Sequence, residues 1–120
     1  MGINVGIIGC SGRRFKEIYL PFFIEKQREK RINFIKVFNR TIESANNVSK
    51  ILQSNVAKNM DEILYDKNIH LIFLIVPEKV RKLVLKKKFR YKRTIVTEVP
   101  VIKNIIEYQF LKRKLKNQNI

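Results

Sequence analysis

The sequence predicts an α/β protein built on an open, doubly wound parallel sheet. Short β-branched apolar runs alternate with segments whose apolar residues recur at helical spacing, and this alternation continues along the 120 residues. It is typical of βαβ units with right-handed crossovers, which stack into a parallel sheet covered by helices. The length suits one domain, and 45% hydrophobic residues can form a core without disulfides. We therefore expect a single domain over residues 1–120.

The first half of the chain predicts strand, helix, strand, helix. The apolar run at residues 3–8 stops at Gly9 and predicts the first strand. Residues 15–30 predict a helix that Pro21 either interrupts or begins. Residues 32–38 predict the second strand, and Thr41 can cap the next helix. The buried stripe of that helix is predicted at Ala45, Val48, Ile51 and Leu52.

The second half continues the same pattern. Residues 55–58 predict a short return segment, and Asn59 with Glu62 resembles a capping box that begins a helix. Residues 69–76 are the most hydrophobic run, in which only His70 is polar, and they predict the middle strand of the sheet. Pro77 ends that strand. A helix, a last strand and an amphipathic helix are predicted at residues 80–85, 94–97 and 101–115.

The chain is strongly basic, with 26 Lys and Arg against 10 Asp and Glu and a net charge of +16. A protein with this charge is expected to bind phosphates of some kind. The basic residues are spread over nearly every segment, however, and the chain is also rich in Ile and Asn. The composition of an AT-rich genome therefore explains part of the charge equally well, as solvated faces without a function.

Cysteine content and hydropathy indicate the compartment. Cys10 is the only cysteine, which excludes an internal disulfide and a multi-cysteine zinc site, and we expect no metal. The longest apolar stretch, residues 71–77, is too short to cross a bilayer, and the N-terminus lacks a signal sequence. We expect a cytoplasmic protein without a membrane partner.

Ligands of open parallel sheets bind beyond the carboxyl ends of the strands, so the segment after the first strand is the candidate phosphate site. It holds Gly6, Gly9 and Gly12, but Ser11 stands where the second glycine of a G-x-G-x-x-G motif belongs. Arg13 and Arg14 could supply charge in place of close backbone contact. Cys10 is either a reactive thiol beside a helix N-terminus or a small packing residue, and we favour packing.

The end of the second strand predicts which dinucleotide binds. NAD enzymes usually carry a carboxylate there for the ribose hydroxyls, whereas this chain has Asn39 and Arg40. An arginine can pair with a 2′-phosphate, so NADP(H) is favoured over NAD(H). The alternative is a cap residue followed by an ordinary surface arginine. His70 is interpreted as a packed or strand-end histidine, and Tyr19 as a core residue.

Four segments together resemble the N-terminal NAD(P)-binding Rossmann domain of the Gfo/Idh/MocA oxidoreductases. They are residues 5–10 (VGIIGC), 37–40 (VFNR), 75–77 (IVP) and 98–100 (EVP). The resemblance covers residues 3–115 and implies a dinucleotide as partner. The implied cofactor-binding residues are Gly9, Cys10, Ser11, Gly12, Arg13, Arg14, Asn39, Arg40, Val76, Pro77, Glu98 and Pro100. The family has a lysine at the position of Val99, so no catalytic residue is assigned.

Residues 15–20 (FKEIYL) resemble, within this family, the thiazolinyl imine reductases of siderophore biosynthesis. That likeness implies NADPH-dependent reduction of a carrier-bound thiazoline to a thiazolidine. Two positions depart from it, because those enzymes have glycine at Lys16 and typically histidine at Val99. Valine can neither donate nor accept a proton.

Family members continue into a second α/β domain that forms the substrate pocket, and we expect this chain to lack it. It would then be truncated and weakly active or inactive alone, or would pair with a separate chain that supplies the substrate domain. The alternatives are a non-functional gene remnant and a basic polyanion or nucleic-acid binder using Arg13-Arg14 and residues 86–88 (KKK). The aromatic residues lie mostly on strands and buried helix faces, which argues against nucleic acid.

Overall fold

The computed structural model describes residues 2–86 and 93–98. Its strands are β1 (Ile3–Ile8), β2 (Ile32–Phe38), β3 (Asn55–Val56), β4 (Leu71–Leu74) and β5 (Thr94–Thr97). Its α-helices are α1 (Leu20–Arg28), α2 (Ile42–Leu52), α3 (Asp61–Leu64) and α4 (Glu78–Leu85), and a π-helical turn (Phe15–Tyr19) leads directly into α1. All the strands pair in parallel, which confirms the predicted fold class.

The order of the strands is β3-β2-β1-β4-β5. The chain moves outward from β1 to β2 and β3, then returns past β1 to form β4 and β5 on the other side. β1 therefore holds the middle position that the sequence analysis gave to residues 69–76, and β4 lies inside the sheet between β1 and β5. The reversal of direction beside β1 is the point at which such sheets bind ligands.

Two apolar clusters form the core. One joins α1 and α2 to the sheet and centres on Phe23, whose ring centroid lies 5.2 Å from Phe34 and 4.8 Å from Phe73. The other joins α3 and α4 to the sheet through Ile63, Ile72 and other fully buried aliphatic residues. Side chains alternate between the faces of a strand, so successive residues of β1 supply both clusters.

The described helices follow the predictions with three differences. On α2, Ile51 is 47% exposed and Ser49 is buried in its place, because the buried stripe follows the i, i+3, i+4, i+7 spacing of one helix face. The segment before α1 is π-helical and continues into α1 without a break, and Pro21 is the second residue of α1. Thr41 precedes α2 but makes no side-chain cap hydrogen bond.

Two polar residues outside the cleft have the predicted local roles. Asn59 Oδ1 accepts a hydrogen bond from Glu62 N at 3.1 Å, as a capping residue does. His70 is exposed just before β4, and its Nδ1 accepts a hydrogen bond from Asn4 N at 3.2 Å. The helix predicted at residues 101–115 lies outside the described residues. Within the described ranges, no helix has the length and apolar character needed to span a bilayer.

Candidate dinucleotide site

A cleft of about 730 Å³ opens where β1, β2, β4 and β5 end. Its volume lies in the range typical of cofactor sites. Its position beside the reversal of strand order is the one that the topology predicts. The walls come from the segments after these four strands, from α4 and from the residue before α3. The lining residues are Ile8, Gly9, Ser11, Gly12, Arg13, Arg14, Phe15, Phe38, Asn39, Arg40, Thr41, Met60, Ile75, Val76, Pro77, Val80, Arg81 and Glu98.

Gly9 makes the tight turn at the end of β1. Its φ is +94°, and a Cβ there would overlap the carbonyl oxygen of Ile75 and lie 2.7 Å from the carbonyl carbon. Its N–H donates to Phe38 O at 2.8 Å. The position therefore requires glycine both for its backbone conformation and for the close approach of the next strand end.

The segment after Gly9 leads into the helical turn over the cleft. Gly12 also has a φ of +94°, but its missing side chain leaves open space, so only the conformation requires glycine. Lys16 N donates to Gly12 O at 3.2 Å, which begins the helical hydrogen bonding. The first N–H groups of a helix bind anions well, and here they lie at the cleft.

Cys10 and Asn39 connect the two loops that border the cleft after β1 and β2. The thiol of Cys10 is 2% exposed, and burial raises its pKa to about 12. Burial of Cys10 in the core supports the packing role that the sequence analysis favoured. Cys10 N donates to Asn39 Oδ1 at 3.0 Å, and Asn39 Nδ2 donates to Thr41 O at 3.1 Å. Asn39 thus joins the loop after β1 to the loop after β2.

Arg40 is exposed at the same strand end and lines the cleft. Within residues 2–86 and 93–98, no acidic side chain lies within 4.0 Å of its guanidinium group. Arg40 therefore presents an uncompensated positive charge where the second strand ends.

An ion pair links the glycine loop to the end of β5. Arg14 Nη1 lies 2.6 Å from Glu98 Oε2, and the hydroxyl of Tyr19 donates to the same oxygen at 3.2 Å. Burial, followed by the negative charge of Glu98, raises the pKa of Tyr19, and the hydrogen bond to Glu98 raises the pKa of Arg14. Tyr19 was interpreted as a core residue; its ring packs on Phe15, but its hydroxyl reaches the cleft network.

Sequence reasoning missed Arg81. This residue of α4 is only 5% exposed, lines the cleft and donates from Nη1 to the backbone oxygen of Glu98. In the sequence it appears as one basic residue among many, and only the packing of α4 against the end of β5 distinguishes it. Arg13, in contrast, is largely exposed and pairs with Glu17 at 2.8 Å on the same helical segment.

The structure thus brings most of the predicted site residues to one cleft. The exceptions are Cys10, whose side chain lies in the core, and Pro100, which lies outside the described residues, as does Val99. Val76 and Pro77 form the wall between β4 and α4. The assignment of these residues to a bound dinucleotide remains a prediction.

Solved structures with the same fold include three proteins solved in complex with a nicotinamide dinucleotide. A 3-ketoreductase from Actinomadura kijaniata, KijD10, solved with NADP and TDP-benzene, superposes with a TM-score of 0.78 at 15% identity over 97% of this chain and 34% of its own. Levoglucosan dehydrogenase, in complex with NADH, superposes with a TM-score of 0.73 at 16% identity, over 100% of this chain and 33% of its own. GenD2 from gentamicin A biosynthesis, in complex with NAD, superposes with a TM-score of 0.67 at 16% identity, over 94% of this chain and 31% of its own. At these identities the likeness shows the fold alone.

The chain spans about a third of the length of these structures. No curated protein matches it. The model of one protein family, described as an oxidoreductase family with an NAD-binding Rossmann fold, matches residues 3–120. This match covers nearly the whole chain and confirms the resemblance inferred from the four sequence segments. The chain therefore belongs to the Gfo/Idh/MocA oxidoreductase family and forms its NAD-binding Rossmann domain.

Proposed function

We propose that this chain binds NADPH in the cleft and serves as the cofactor-binding part of a reductase. The observation that carries the proposal is the conformation of Gly9, which lets β1 and β4 end side by side beneath an open helix N-terminus. A pyrophosphate is bound by backbone N–H groups at such a tight turn, and glycine allows the chain to make the turn so close to Ile75.

The residues present fit the cofactor. The pyrophosphate would lie against Ser11 and Gly12, with Arg14 beside it, and the adenosine half would extend over Arg40 and Thr41 at the end of β2. The nicotinamide half would then extend to the other side of β1, over Val76, Pro77 and Glu98. Bound NADPH supplies a hydride, whereas these residues hold and orient the two halves of the molecule.

Arg40 supports the preference for NADPH over NADH. It is exposed at the site where the second strand of NAD enzymes usually carries a carboxylate, and a guanidinium group can hold a 2′-phosphate through two hydrogen bonds. The neighbouring Asn39 is occupied by Cys10 and Thr41, so it positions the loop and leaves the phosphate to Arg40.

A fluorescence titration with NADPH and NADH, at low and at moderately high salt, tests the proposal. We expect saturable binding that survives salt and favours NADPH. In Arg40→Gln the affinity for NADPH should fall about tenfold, since one charge-assisted contact is lost, and the affinity for NADH should not change.

The matched control is Arg28→Gln, which removes one positive charge from the exposed end of α1, on the opposite edge of the sheet. If both variants weaken NADPH binding equally, the effect is one of net charge and the assignment of Arg40 is wrong. Absence of binding to either nucleotide, or binding that disappears with salt beside equal binding to DNA, contradicts the cofactor proposal and favours the polyanion alternative.

The substrate is part of the same proposal. The likeness of the segment from Phe15 to Leu20 to thiazolinyl imine reductases supports a thiazoline as the substrate. Membership of an oxidoreductase family supports, more generally, the reduction of a carbon–nitrogen or carbon–oxygen double bond. The proton donor is expected outside residues 2–98, because Val99 stands at the family's lysine position. A further domain or a separate chain would supply the substrate surface. The compartment would be the cytoplasm, because a single cysteine suits a reducing environment.

By itself the chain should turn over little or nothing. The check is the consumption of NADPH with a thiazoline thioester and with a keto sugar, each offered to the purified chain. Rapid turnover of either compound would contradict the assignment of proton donor and substrate surface to other residues, even if NADPH binding were confirmed.

A further inference from the structure

Arg81 is a buried cation that the cofactor proposal leaves without a role. Its side chain lies within the wall formed by α4 and the end of β5, and its Nη1 donates to the backbone oxygen of Glu98. Its Nε is buried and has no hydrogen-bond partner in the described part of the chain. Burial and this hydrogen bond place the guanidinium group, a cation, inside the wall of the cleft.

Nearby acidic groups do not neutralise Arg81. The carboxylate of Glu98 is occupied by Arg14 at 2.6 Å and by the hydroxyl of Tyr19, and Arg81 reaches only the backbone of that residue. Glu78, one turn earlier on α4, lies 3.8 Å from Lys82. Within the described ranges, no carboxylate oxygen lies within 4.0 Å of Arg81. Among the residues that the structure describes, the β4–β5 side of the cleft therefore carries a positive charge, that of Arg81, that no carboxylate contacts.

That side of the cleft is the one where the nicotinamide ring would lie. The 2′-phosphate end of the cofactor belongs to the end of β2, so the other end of a bound dinucleotide extends across β1 to β4 and β5. The oxidised ring carries a positive charge and the reduced ring is neutral. A fixed cation in a wall of low dielectric constant repels the oxidised form and has little effect on the reduced form.

We infer that Arg81 makes this cleft select the reduced dinucleotide, NADPH, over the oxidised one, NADP⁺. The inference rests on the proposed function and adds to it the direction of the reaction. The cleft would release the cofactor once hydride transfer has oxidised it, which favours reduction of the substrate. The selectivity comes from the charge of a side chain that need not touch the reacting atoms, so Arg81 is a specificity-determining residue and has no part in the hydride transfer itself.

The test compares the affinities of NADPH and NADP⁺ by calorimetry for the unaltered chain, Arg81→Met and Arg81→Lys. We expect NADP⁺ to bind at least about tenfold more weakly than NADPH to the unaltered chain. Arg81→Met should bring the two affinities close together. Arg81→Lys keeps the charge and should keep most of the difference.

A third ligand, 2′-phospho-ADP-ribose, separates this effect from a loss of folding. It has the phosphates and the adenosine but no nicotinamide ring, so its affinity should be similar for all three proteins if the cleft remains intact. Equal affinities of NADPH and NADP⁺ for the unaltered chain would overturn the inference whatever the variants do. Failure of all three ligands to bind that chain would instead contradict the proposed function.

Discussion

At the scale of single residues, the cleft depends on backbone positions as much as on side chains. Gly9 and Gly12 have the same positive φ, yet only Gly9 is also packed against another strand end, at Ile75. A substitution at either position must adopt a left-handed conformation, but only one of them must also displace a neighbouring backbone. The two glycines therefore separate conformational strain from steric overlap.

We expect Gly12→Ala to lower the free energy of unfolding by about 1 kcal/mol, the cost of left-handed strain alone. Gly9→Ala should lower it by more than about 3 kcal/mol, because Ile75 must also move, and it should abolish dinucleotide binding. Urea unfolding of both variants checks this. Equal losses at the two positions would contradict the close contact between Gly9 and Ile75.

The sequence predicted residue roles well wherever they follow from local patterns. The strand end at Gly9 and the capping role of Asn59 were predicted correctly from their neighbours. The buried bridge made by Asn39 and the burial of Arg81 were not predicted, because each depends on a partner far away in the chain, Cys10 and Glu98 respectively. The two residues of each pair come within hydrogen-bond distance only when the strands align in the sheet.

At the scale of elements, the strands are joined by polar contacts as well as by the core. Lys36 on β2 lies 3.0 Å from Asp66, in the connection between α3 and β4, and also donates to Glu62 O at 3.2 Å. Burial alone would raise the pKa of Asp66. The hydrogen bond from the N–H of Asn68 and the charges of Lys36 and Arg93 outweigh burial, so its pKa is lowered.

Because the folded chain lowers the pKa of Asp66, the unfolded chain binds the proton more tightly. The resulting stabilisation is present above the ordinary aspartate pKa of 3.8 and is lost as the pH falls below it. Asp66→Asn should therefore cost about 1 kcal/mol at neutral pH and remove part of the loss of stability in acid. Urea unfolding at several pH values checks this, with the exposed Glu25→Gln as the control; parallel curves for all three proteins would contradict it.

The π-helical turn shows what a periodic pattern can and cannot predict. The apolar residues of the segment before α1 correctly indicated a helix. The wider turn at Phe15–Tyr19 depends on tertiary packing, in which Phe15 is buried and Tyr19 also reaches Glu98. Turns of this kind occur often at functional sites. The same limitation explains Ile51, whose apolar character suggested burial although its position on α2 faces outward.

At the scale of the whole molecule, the net charge of +16 opposes folding, since a compact chain brings like charges together. Salt screens this repulsion, with a Debye length that falls from about 30 Å at 0.01 M to about 8 Å at 0.15 M. We therefore expect the midpoint of thermal unfolding to rise by several degrees between these ionic strengths. A scan in sucrose at constant low salt is the control for general solvent effects. An unchanged or lower midpoint in salt would show that the charges are already matched within the fold.

The ion pair between Arg14 and Glu98 joins residues that are 84 positions apart in the sequence. Contacts of such long separation carry the largest loop-closure entropy and form late when a chain folds. The strand pairs β1–β2, β1–β4 and β4–β5 all join residues that are closer in the sequence than Arg14 and Glu98, so we expect these pairs to form before the ion pair closes. We therefore expect the contact that closes the cleft between the glycine loop and the end of β5 to form late, so that a chain emerging during synthesis completes this side of the cleft only after β5 has been made.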